Sequence, residues 1–422
     1  MQAEPSKNLH SFHTSLDVLL DMGEYETAAH LVKTLGIFWE SDGYLVDGTH
    51  YVSVILDAPE SNNLSPALLA ALNMIGGNLI RHQSQYQTAG AYYQTGIVQL
   101  ESNADYEVKT RILSGLGEIA FRRGNYVAAM DYYRQHLEVS QQAGDAFKIA
   151  DAFNGLGRMA TVQHDWAGAL EYHDYGEYLC RQNDYHLGLG WSLNARGELE
   201  RAQKNYRQAA TYFQESIALF EVAHNPGAYR LAAQNWAFAL LALGDVKAAE
   251  TLFTDALAFW KKGGAQHGMS LCLIGFADVA LAKRDSTKAA RQRPAAARLI
   301  GDIGVQLELG DHHDYERTMS KLYEVLPEDA YLEIAERAQS LSLNEFFAQT
   351  LPKSNLQSAH ALTAREIEIL RFVAAGLTDK QIAAHLTISA HTVNAHLRTI
   401  YRKLDVNTRT AAVHAAQESS LL

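Results

Sequence analysis

Small and apolar residues recur along most of this chain with a period of forty residues. One small position stands at Gly77, Gly117, Gly157, Gly197, Ala237 and Ala277. A second lies twelve residues later, at Ala89, Ala129, Ala169, Ala209, Ala249 and Ala289. Small residues let paired helices approach closely, and the residue four positions after each alanine, usually aromatic, fills the space beside them. The period predicts helical hairpins stacked into a solenoid and excludes a heptad coiled coil.

The turns inside the hairpins carry a signal of their own. They are predicted at Gly124-Asn125, His164-Asp165, Lys204-Asn205 and Gly244-Asp245. Each unit resembles a tetratricopeptide repeat lengthened from its usual length of about 34 residues. Further along, Pro294 breaks the helical pattern, and we expect it to lie in the first turn of a new helix. On that interpretation Ala289 matches the period by accident, and the first five units are better supported than the sixth.

The sequence predicts an all-α protein with two parts. A superhelix of tetratricopeptide-like hairpins is expected over residues 1–350, with clear repeats at about 67–290 and helical caps on either side. The polar residues of 351–360 predict a linker, and a small four-helix domain is expected at 361–422. A chain of 422 residues exceeds one ordinary core, and this division accounts for its length.

Three short helices are predicted after the linker. Thr363 with Glu366, and Thr378 with Gln381, form capping boxes, in which each side chain bonds a free amide of the first helical turn. Gly376 supplies the left-handed residue that ends the first of these helices. The third helix begins after a serine that can cap it.

The third helix is apolar on one face and cationic on the other. Its apolar face carries Val393, Leu397, Ile400 and Leu404, which are predicted to lie in the core. No acidic residue occurs between positions 389 and 404. A cationic helix face taken alone is usually just solvated. Three capped helices in this order, with the cationic one third, favour a helix-turn-helix.

The residues predicted to contact DNA are Lys380, His391, Thr392, Asn394, Ala395, Arg398, Arg402 and Lys403. A major groove admits a helix, in which arginine reads guanine and asparagine reads adenine. We therefore expect Asn394 and Ala395 to meet base edges. Arg398, Arg402 and Lys403 are expected to bind guanine or phosphate, and Lys380 to bind phosphate.

The segment from Leu362 to about Ala416 resembles a LuxR-type helix-turn-helix domain over the whole length of that domain. The resemblance implies that the third helix is the recognition helix. It also implies that the residues beyond Asn407 form a fourth helix that pairs two copies on double-stranded DNA. Many relatives place Lys or Glu where this chain has Asn394, so their base preference does not transfer.

The order of elements resembles the C-terminal part of large bacterial regulators that run ATPase, tetratricopeptide-like repeats and LuxR-type domain. No G-x-x-x-x-G-K-[ST] sequence occurs, so no P-loop is recognised. The resemblance implies a cytoplasmic transcription regulator that binds DNA as a homodimer, with RNA polymerase as a further candidate partner. The alternative is a protein–protein adaptor or antagonist that uses the domain only to dimerise with related regulators.

The formal charge of −12 is unevenly distributed between the C-terminal domain and the rest of the chain. Residues 361–422 hold seven Lys and Arg against five Asp and Glu, a charge of +2. The remaining 29 Lys and Arg face 43 Asp and Glu, a charge of −14. An acidic solenoid repels phosphate, so we expect modest intrinsic DNA affinity that dimerisation improves.

An effector site is expected on the inner wall of the solenoid, at Asn154, Arg158, Asn194, Arg201 and Gln234. Amides in such a wall can grip the backbone of a bound protein or peptide, because each offers a donor and an acceptor. The two arginines can hold a carboxylate. The alternative is that the amides only bond to neighbouring helices.

The remaining candidate chemistry is sparse. Cys180 and Cys272 stand far apart and predict no disulfide, which suits a reducing cytoplasm. His10 and His13 could share a metal ion, but no third ligand is evident, and the residues at 312–314 are expected in a solvated loop. We therefore expect no metal, no cofactor, no membrane segment and no enzyme activity.

Overall fold

The computed structural model describes residues 5–100, 105–350, 364–386 and 409–418, together with positions 393, 397, 400, 401, 404 and 406. The described residues form α-helices and one 3₁₀ helix, Pro59–Asn63, with no strand among them. This confirms the predicted all-α class. The chain begins with three helices: α1 Pro5–Asp21, α2 Tyr25–Asp42 and α3 Leu45–Asp57.

Six helical hairpins follow in sequence. Their helices are α4 Pro66–His82, α5 Tyr86–Gln99, α6 Tyr106–Arg122, α7 Tyr126–Ala143, α8 Ala146–Val162, α9 Trp166–Gln182, α10 His186–Ala202, α11 Tyr206–Val222, α12 Pro226–Leu243, α13 Val246–Gly263, α14 Gln266–Ala282 and α15 Ser286–Ile303. Each even-numbered helix packs against the odd-numbered helix after it, and against the next hairpin. The predicted repeat array is therefore present.

Six more described helices complete the chain. They are α16 Leu309–Val325, α17 Glu328–Ser340, α18 Leu343–Thr350, α19 Ala364–Ala374, α20 Asp379–Leu386 and α21 Arg409–Glu418. By their contacts, residues 36–46 and 65–346 form one compact unit, and residues 1–35, 47–64 and 347–422 form a second. The predicted linker at 351–360 lies outside the described residues, and the predicted domain limits stay a prediction.

The turn within each hairpin uses the same backbone geometry at forty-residue intervals. Ser84, Gly124, His164, Lys204, Gly244 and Arg284 all have positive φ, between +59° and +92°. Most of these turns are followed by an Asn or Asp whose side chain accepts from a first-turn amide, as Asn125 does from Ala128. Left-handed backbone strains a residue with a side chain, so this geometry is maintained by the packed helices around it.

The recurring glycines explain how closely the paired helices pack. A Cβ atom at Gly197 would lie 2.5 Å from the ring of Phe213, and one at Gly117 would lie 2.8 Å from the ring of Tyr133. Phe213 and Tyr133 are themselves buried. The glycine therefore makes room for the side chain of the partner helix, as the sequence pattern predicted.

The expectation for Pro294 was wrong. It lies inside α15, which runs unbroken from Ser286 to Ile303, and Ala289 is fully buried like its counterparts in the earlier hairpins. A proline inside a helix costs about 3 kcal/mol. Burial of the alanines around it and of Leu299 offsets that cost. The array therefore contains a sixth hairpin.

The stack of hairpins turns back on itself. The amide of His267, at the start of α14, donates to the hydroxyl of Ser84, in the turn of the first hairpin, at 3.0 Å. The Arg122 guanidinium lies 2.5 Å from Nε2 of His267. Burial and this guanidinium hold the pKa of His267 down at about 3, so the ring is neutral and accepts from Arg122. The sixth hairpin thus closes on the first two.

Substitution of Gly197 by alanine tests the packing of paired helices. The added Cβ would force the buried Phe213 ring out of place, so we expect a loss of about 1–3 kcal/mol in the free energy of unfolding. Gly90→Ala in α5 is the matched control, because nothing lies within 4 Å of its Cβ. That variant should gain about 0.5–1 kcal/mol from helix propensity. Equal effects in urea unfolding would contradict the packing argument.

Candidate nucleic-acid interface and solenoid interior

The C-terminal helices share one small apolar core. Its buried residues are Ile369, Leu370, Val373, Ile382, Ala383, Val393, Leu397, Ile400, Ala412 and Ala416. The three residues from the predicted third helix, Val393, Leu397 and Ile400, are at most 3% exposed, and Leu404 packs beside them. The predicted inward face of that helix is therefore confirmed. The predicted fourth helix is also present, as α21.

Local interactions fix the first two helices of this core. Gly376, at φ +80°, ends α19 in the left-handed region. The side chains of Thr378 and Gln381 each bond the other residue's amide, at 3.4 and 2.8 Å, which is the predicted capping box. Arg409 of α21 then donates to Asp379, at the start of α20, and to the Leu377 carbonyl, both at 2.5 Å. The fourth helix is thereby tied to the turn.

Of the eight residues predicted to contact DNA, the structure describes one. Lys380 lies in the first turn of α20 and is exposed. The others, His391, Thr392, Asn394, Ala395, Arg398, Arg402 and Lys403, lie outside the described residues. Their contacts with DNA stay a prediction.

The first helices of the second, third and fourth hairpins carry acidic and basic side chains that lie close together. We call Glu118, Arg122, Arg158, Glu198 and Arg201 the inner charge ladder. Glu118 accepts from Arg122 at 2.7 Å and from Arg158 at 2.5 Å, so one carboxylate bridges α6 and α8. These three side chains are between 12% and 20% exposed, whereas the side chain of Arg201 is only 2% exposed.

A later part of the chain lies against this ladder. We call residues 305–318 the inserted segment. Its Glu308 lies 3.1 Å from both Arg122 and Arg158. Its Asp311 and Asp314 lie 2.6 and 2.8 Å from the guanidinium of Arg201. The sequence predicted that Arg158 and Arg201 could hold carboxylates; the structure supplies those carboxylates from the same chain.

Further hydrogen bonds and an ion pair bind the inserted segment to the hairpins. The Gln306 amide donates to the Arg122 carbonyl at 2.7 Å. Further along, Thr318 donates its hydroxyl to Asp278 of α14 at 2.9 Å, and Arg317 pairs with the same carboxylate at 2.7 Å. The segment therefore crosses from the second hairpin to the sixth.

The expected solvated loop at 312–314 was wrong. These residues lie within α16, and Asp314 is only 1% exposed. Its carboxylate is paired with Arg201, more than a hundred residues earlier, and with Arg317 one helical turn later. Local sequence alone made the stretch look polar and exposed. The partner that buries it is distant in sequence.

The amides of the predicted effector site lie inside the helix stack. Asn194 is buried and accepts from Asn235 of α12 at 3.2 Å. Gln234 is fully buried; it accepts from the Trp260 indole at 2.7 Å and donates to the Gly268 carbonyl. Asn154 is 8% exposed, and neither polar atom of its side chain has a hydrogen-bond partner in the structure. An effector role for these amides stays a prediction.

Comparison with known proteins gives these parts a family context. Residues 360–416 match the family of bacterial regulatory proteins, luxR family, and residues 148–221 match the tetratricopeptide repeat. The C-terminal domain is a LuxR-type helix-turn-helix domain. The second match covers α8 to α11, two complete hairpins, so the repeat resemblance is confirmed as well.

Proteins of several bacteria are similar to parts of this chain. A nitrate/nitrite response regulator protein homolog of Haemophilus influenzae is 54% identical over 52 residues, 12% of this chain and 25% of that protein. The HTH-type transcriptional regulator MalT of Vibrio cholerae is 23% identical over 299 residues, 64% of this chain and 32% of that protein. This chain thus spans a quarter to a third of the length of these two relatives. A crystal structure of a Rap protein complexed with competence and sporulation factor gives a TM-score of 0.46 at 14% identity, over 80% of this chain and 99% of that one.

The order of repeats and LuxR-type domain is similar to that of regulators that also carry an ATPase. The relative from Vibrio cholerae is named a transcriptional regulator and the relative from Haemophilus influenzae a response regulator. Among the described residues, no three His, Cys, Asp or Glu side chains are grouped to hold a metal ion. Cys180 and Cys272 are buried free thiols. No described helix is both long and apolar enough to cross a bilayer.

Sequence reasoning missed most of the inner charge ladder, although a signal was present. The residue directly after each recurring small position is Asn78, Glu118, Arg158, Glu198, Phe238 or Asp278. Four of the six are charged, at positions where a repeat core would favour apolar residues. The inserted segment carries a second signal in its sequence. Glu308, Asp311 and Asp314 are spaced three residues apart, a spacing that predicts acidic residues on one face of a helix.

Glu198 is the one carboxyl of the ladder that keeps its proton. Burial, and then the negative charge of Glu308, raise the pKa of Glu198 to about 8, although Arg158 and Arg201 oppose the shift. Its side chain accepts from Asn235 at 2.7 Å and bonds to Glu308. The pKa of Glu308 is lowered because Arg158 and Arg122 outweigh the effect of its burial. A neutral Glu198 can therefore donate to an ionised Glu308.

Glu198→Gln should remove a pH dependence of stability. In the unfolded chain Glu198 loses its proton near pH 4 to 5, whereas in the folded chain it keeps the proton to about pH 8. Its contribution to stability is therefore complete below pH 4 and declines as the pH rises toward 8. The difference in unfolding free energy, wild type minus variant, should fall by about 1–2 kcal/mol from pH 5 to pH 8, since the side chain is partly solvated.

The exposed Glu333 provides the control, because its partner Arg337 is also exposed. Glu333→Gln should leave the same difference unchanged over that range. Urea unfolding at pH 5, 6, 7 and 8 measures it. A constant difference for Glu198→Gln would show that this carboxyl is ionised in the folded protein at neutral pH.

Proposed function

We propose that this chain is a bacterial transcription regulator that binds promoter DNA through its LuxR-type domain. The single observation that supports this most is the core of that domain. Val393, Leu397 and Ile400 are buried together with residues of α19, α20 and α21. If the third helix is continuous, as the sequence predicts, its opposite face is the cationic one, free of acidic residues.

In this proposal the residues divide by the part of DNA that they contact. Asn394 and Ala395 meet base edges, with His391 and Thr392 at the start of the same helix. Arg398, Arg402 and Lys403 supply contacts to guanine or phosphate. The exposed Lys380 in the first turn of α20 binds a phosphate.

We further propose that the protein binds DNA as a homodimer through α21. The support is that α21 is present as the fourth helix of the domain, anchored to its core by Ala412 and Ala416. Pairing two domains joins two modest contacts to a two-fold symmetric site, which compensates for the charge of −14 that the rest of the chain carries. The setting is the bacterial cytoplasm, with RNA polymerase as a further partner.

The solenoid is proposed to bind the effector: a protein, a peptide or a small molecule. In this proposal Arg158 and Arg201 contact the effector, and Asn154, Asn194 and Gln234, which are buried in this structure, lie behind them. Arg158 and Arg201 already bind carboxylates in the structure, which supports an anionic group in the effector.

Arg398→Ala should weaken specific DNA binding by about 1–3 kcal/mol, because it removes a contact to guanine or phosphate. The site is first found by selecting random duplex DNA with the purified full chain, where we expect a two-fold symmetric motif. Affinity for that motif is then measured at fixed salt.

Arg337→Ala is the charge-matched control, since this arginine is 80% exposed on α17 in the solenoid unit. Its affinity should equal that of the wild type. If no motif is enriched, direct DNA binding by the chain alone is refuted, and the adaptor that dimerises with related regulators is favoured. If a motif is enriched but Arg398→Ala binds it as tightly as the wild type, the proposed docking of the third helix is wrong.

A further inference from the structure

Paired charges dominate the contacts of the inserted segment. Its first residue, Val305, is a buried apolar side chain. Within α16 the buried residues up to position 318 are Gly310, Asp311, Asp314 and Thr318. The first large apolar side chain that α16 buries is Leu322, in a cluster with alanines of α14 and α15. The later turns of α16 are therefore anchored by apolar contacts, whereas residues 306–318 depend mainly on matched charges.

The acidic groups of the segment are regularly spaced. Glu308 is the N-cap residue of α16, and Asp311 and Asp314 follow it at intervals of three residues in the first two turns of that helix. They meet Arg122 and Arg158 at one end and Arg201 at the other. The ladder thus recognises a helical segment with an acidic group on each turn.

Polar atoms of the ladder surround a small cavity beside the inserted segment. The Nε atoms of Arg158 and Arg201 are both buried and bond to no protein atom in the structure. Between these arginines, Glu198, Glu308 and Gly310 lies a cavity of about 20 Å³, room for one water molecule. The contact between the segment and the ladder is therefore polar at this point as well.

The backbone approach is close at one point. A Cβ atom on Gly310 would lie 3.0 Å from the Arg201 guanidinium, and that group is fixed by two carboxylates. A larger residue at this position would require the arginine, or the first turn of α16, to shift.

A contact of this kind can be exchanged. Burying ions costs nearly as much as their pairing returns, so the net stabilisation of such a seat is small, while leaving an arginine unpaired is costly. A second chain that carries carboxylates with the same spacing satisfies the same arginines and replaces the segment without leaving a buried charge unpaired.

We propose that the inner charge ladder is a binding site for acidic peptide segments with carboxylates three residues apart, and that residues 305–318 are the chain's own occupant of it. The effector is then a partner protein or peptide with an acidic helix. This rests on the proposal that the solenoid binds an effector, but it does not depend on DNA binding.

The test uses a fluorescent peptide with the sequence of residues 305–318 and the full-length chain. Asp311→Asn with Asp314→Asn weakens the internal occupant, so the free peptide should bind this double variant at least about tenfold more tightly than the wild type. The tethered segment has an effective concentration in the millimolar range and excludes micromolar peptide from the wild type. Anisotropy measures both affinities.

Two controls isolate the carboxylates. A peptide with Asn at both aspartate positions should not bind the double variant, because it no longer pairs with Arg201. Glu333→Gln removes an exposed negative charge on α17. This variant should bind the peptide as weakly as the wild type does.

Folding of the variants is checked by far-ultraviolet circular dichroism. If the double variant does not fold, two further measurements still test the proposal. Gly310→Ala keeps every charge but presses on Arg201, so it should also admit the peptide. In the wild type, millimolar peptide should accelerate hydrogen exchange of residues 309–318, as the internal segment is displaced.

The proposal is overturned if the folded variants do not bind the peptide, if the Asn peptide binds equally well, or if excess peptide leaves exchange in the wild type unchanged. Selection of duplex DNA by the same preparations separates the two proposals. Enrichment of a motif without peptide binding refutes the acidic-segment site alone. Peptide binding without a motif refutes the DNA-binding regulator alone.

Discussion

Charged groups buried between helices must be paired, and that constraint organises the solenoid. Arg201 is 3% exposed and lies over the ring of Phe238, where an unpaired guanidinium would be costly. Its partners are not in the neighbouring hairpins but in the inserted segment. After α15 the chain therefore runs back across the first helices of four hairpins. It takes this path because those helices carry the arginines that its carboxylates pair with. Burial and the charge of Glu308 raise the pKa of Glu198 even though Arg158 and Arg201 lie nearby.

The repeat register decides which residues face one another. Each small residue lets the partner helix approach, and the left-handed turn at the same point in every hairpin keeps the two helices in phase. As a result the residue after the small position falls on the same wall throughout the array, at Glu118, Arg158 and Glu198. A shift of one residue would turn these charges into the packed interior of the hairpins. The repeat register thus determines both how the helices pack and where the charged side chains lie.

Sequence was informative wherever the deciding interactions are local or periodic. The capping box of Thr378, the glycine that ends α19 and the apolar face with Val393 all depend on residues within a few turns. The unbroken α15 was missed because burial around Pro294 outweighs its helix-breaking tendency. The helical Asp314 was missed because its partner Arg201 lies 113 residues away. The spacing of Glu308, Asp311 and Asp314 predicts an acidic helix face, but one sequence does not show which distant arginines pair with it. The DNA-contacting side chains stay predictions.

The carboxylates of the inserted segment hold it on Arg201, and a double-mutant cycle measures that coupling directly. Unfolding free energies are determined for Arg201→Gln, Asp314→Asn, the double variant and the wild type. If the pair is coupled as the structure indicates, the double variant should lose less than the sum of the single losses, by about 1–3 kcal/mol. Losses that add to within about 0.5 kcal/mol would contradict the account, because the two side chains would then act independently.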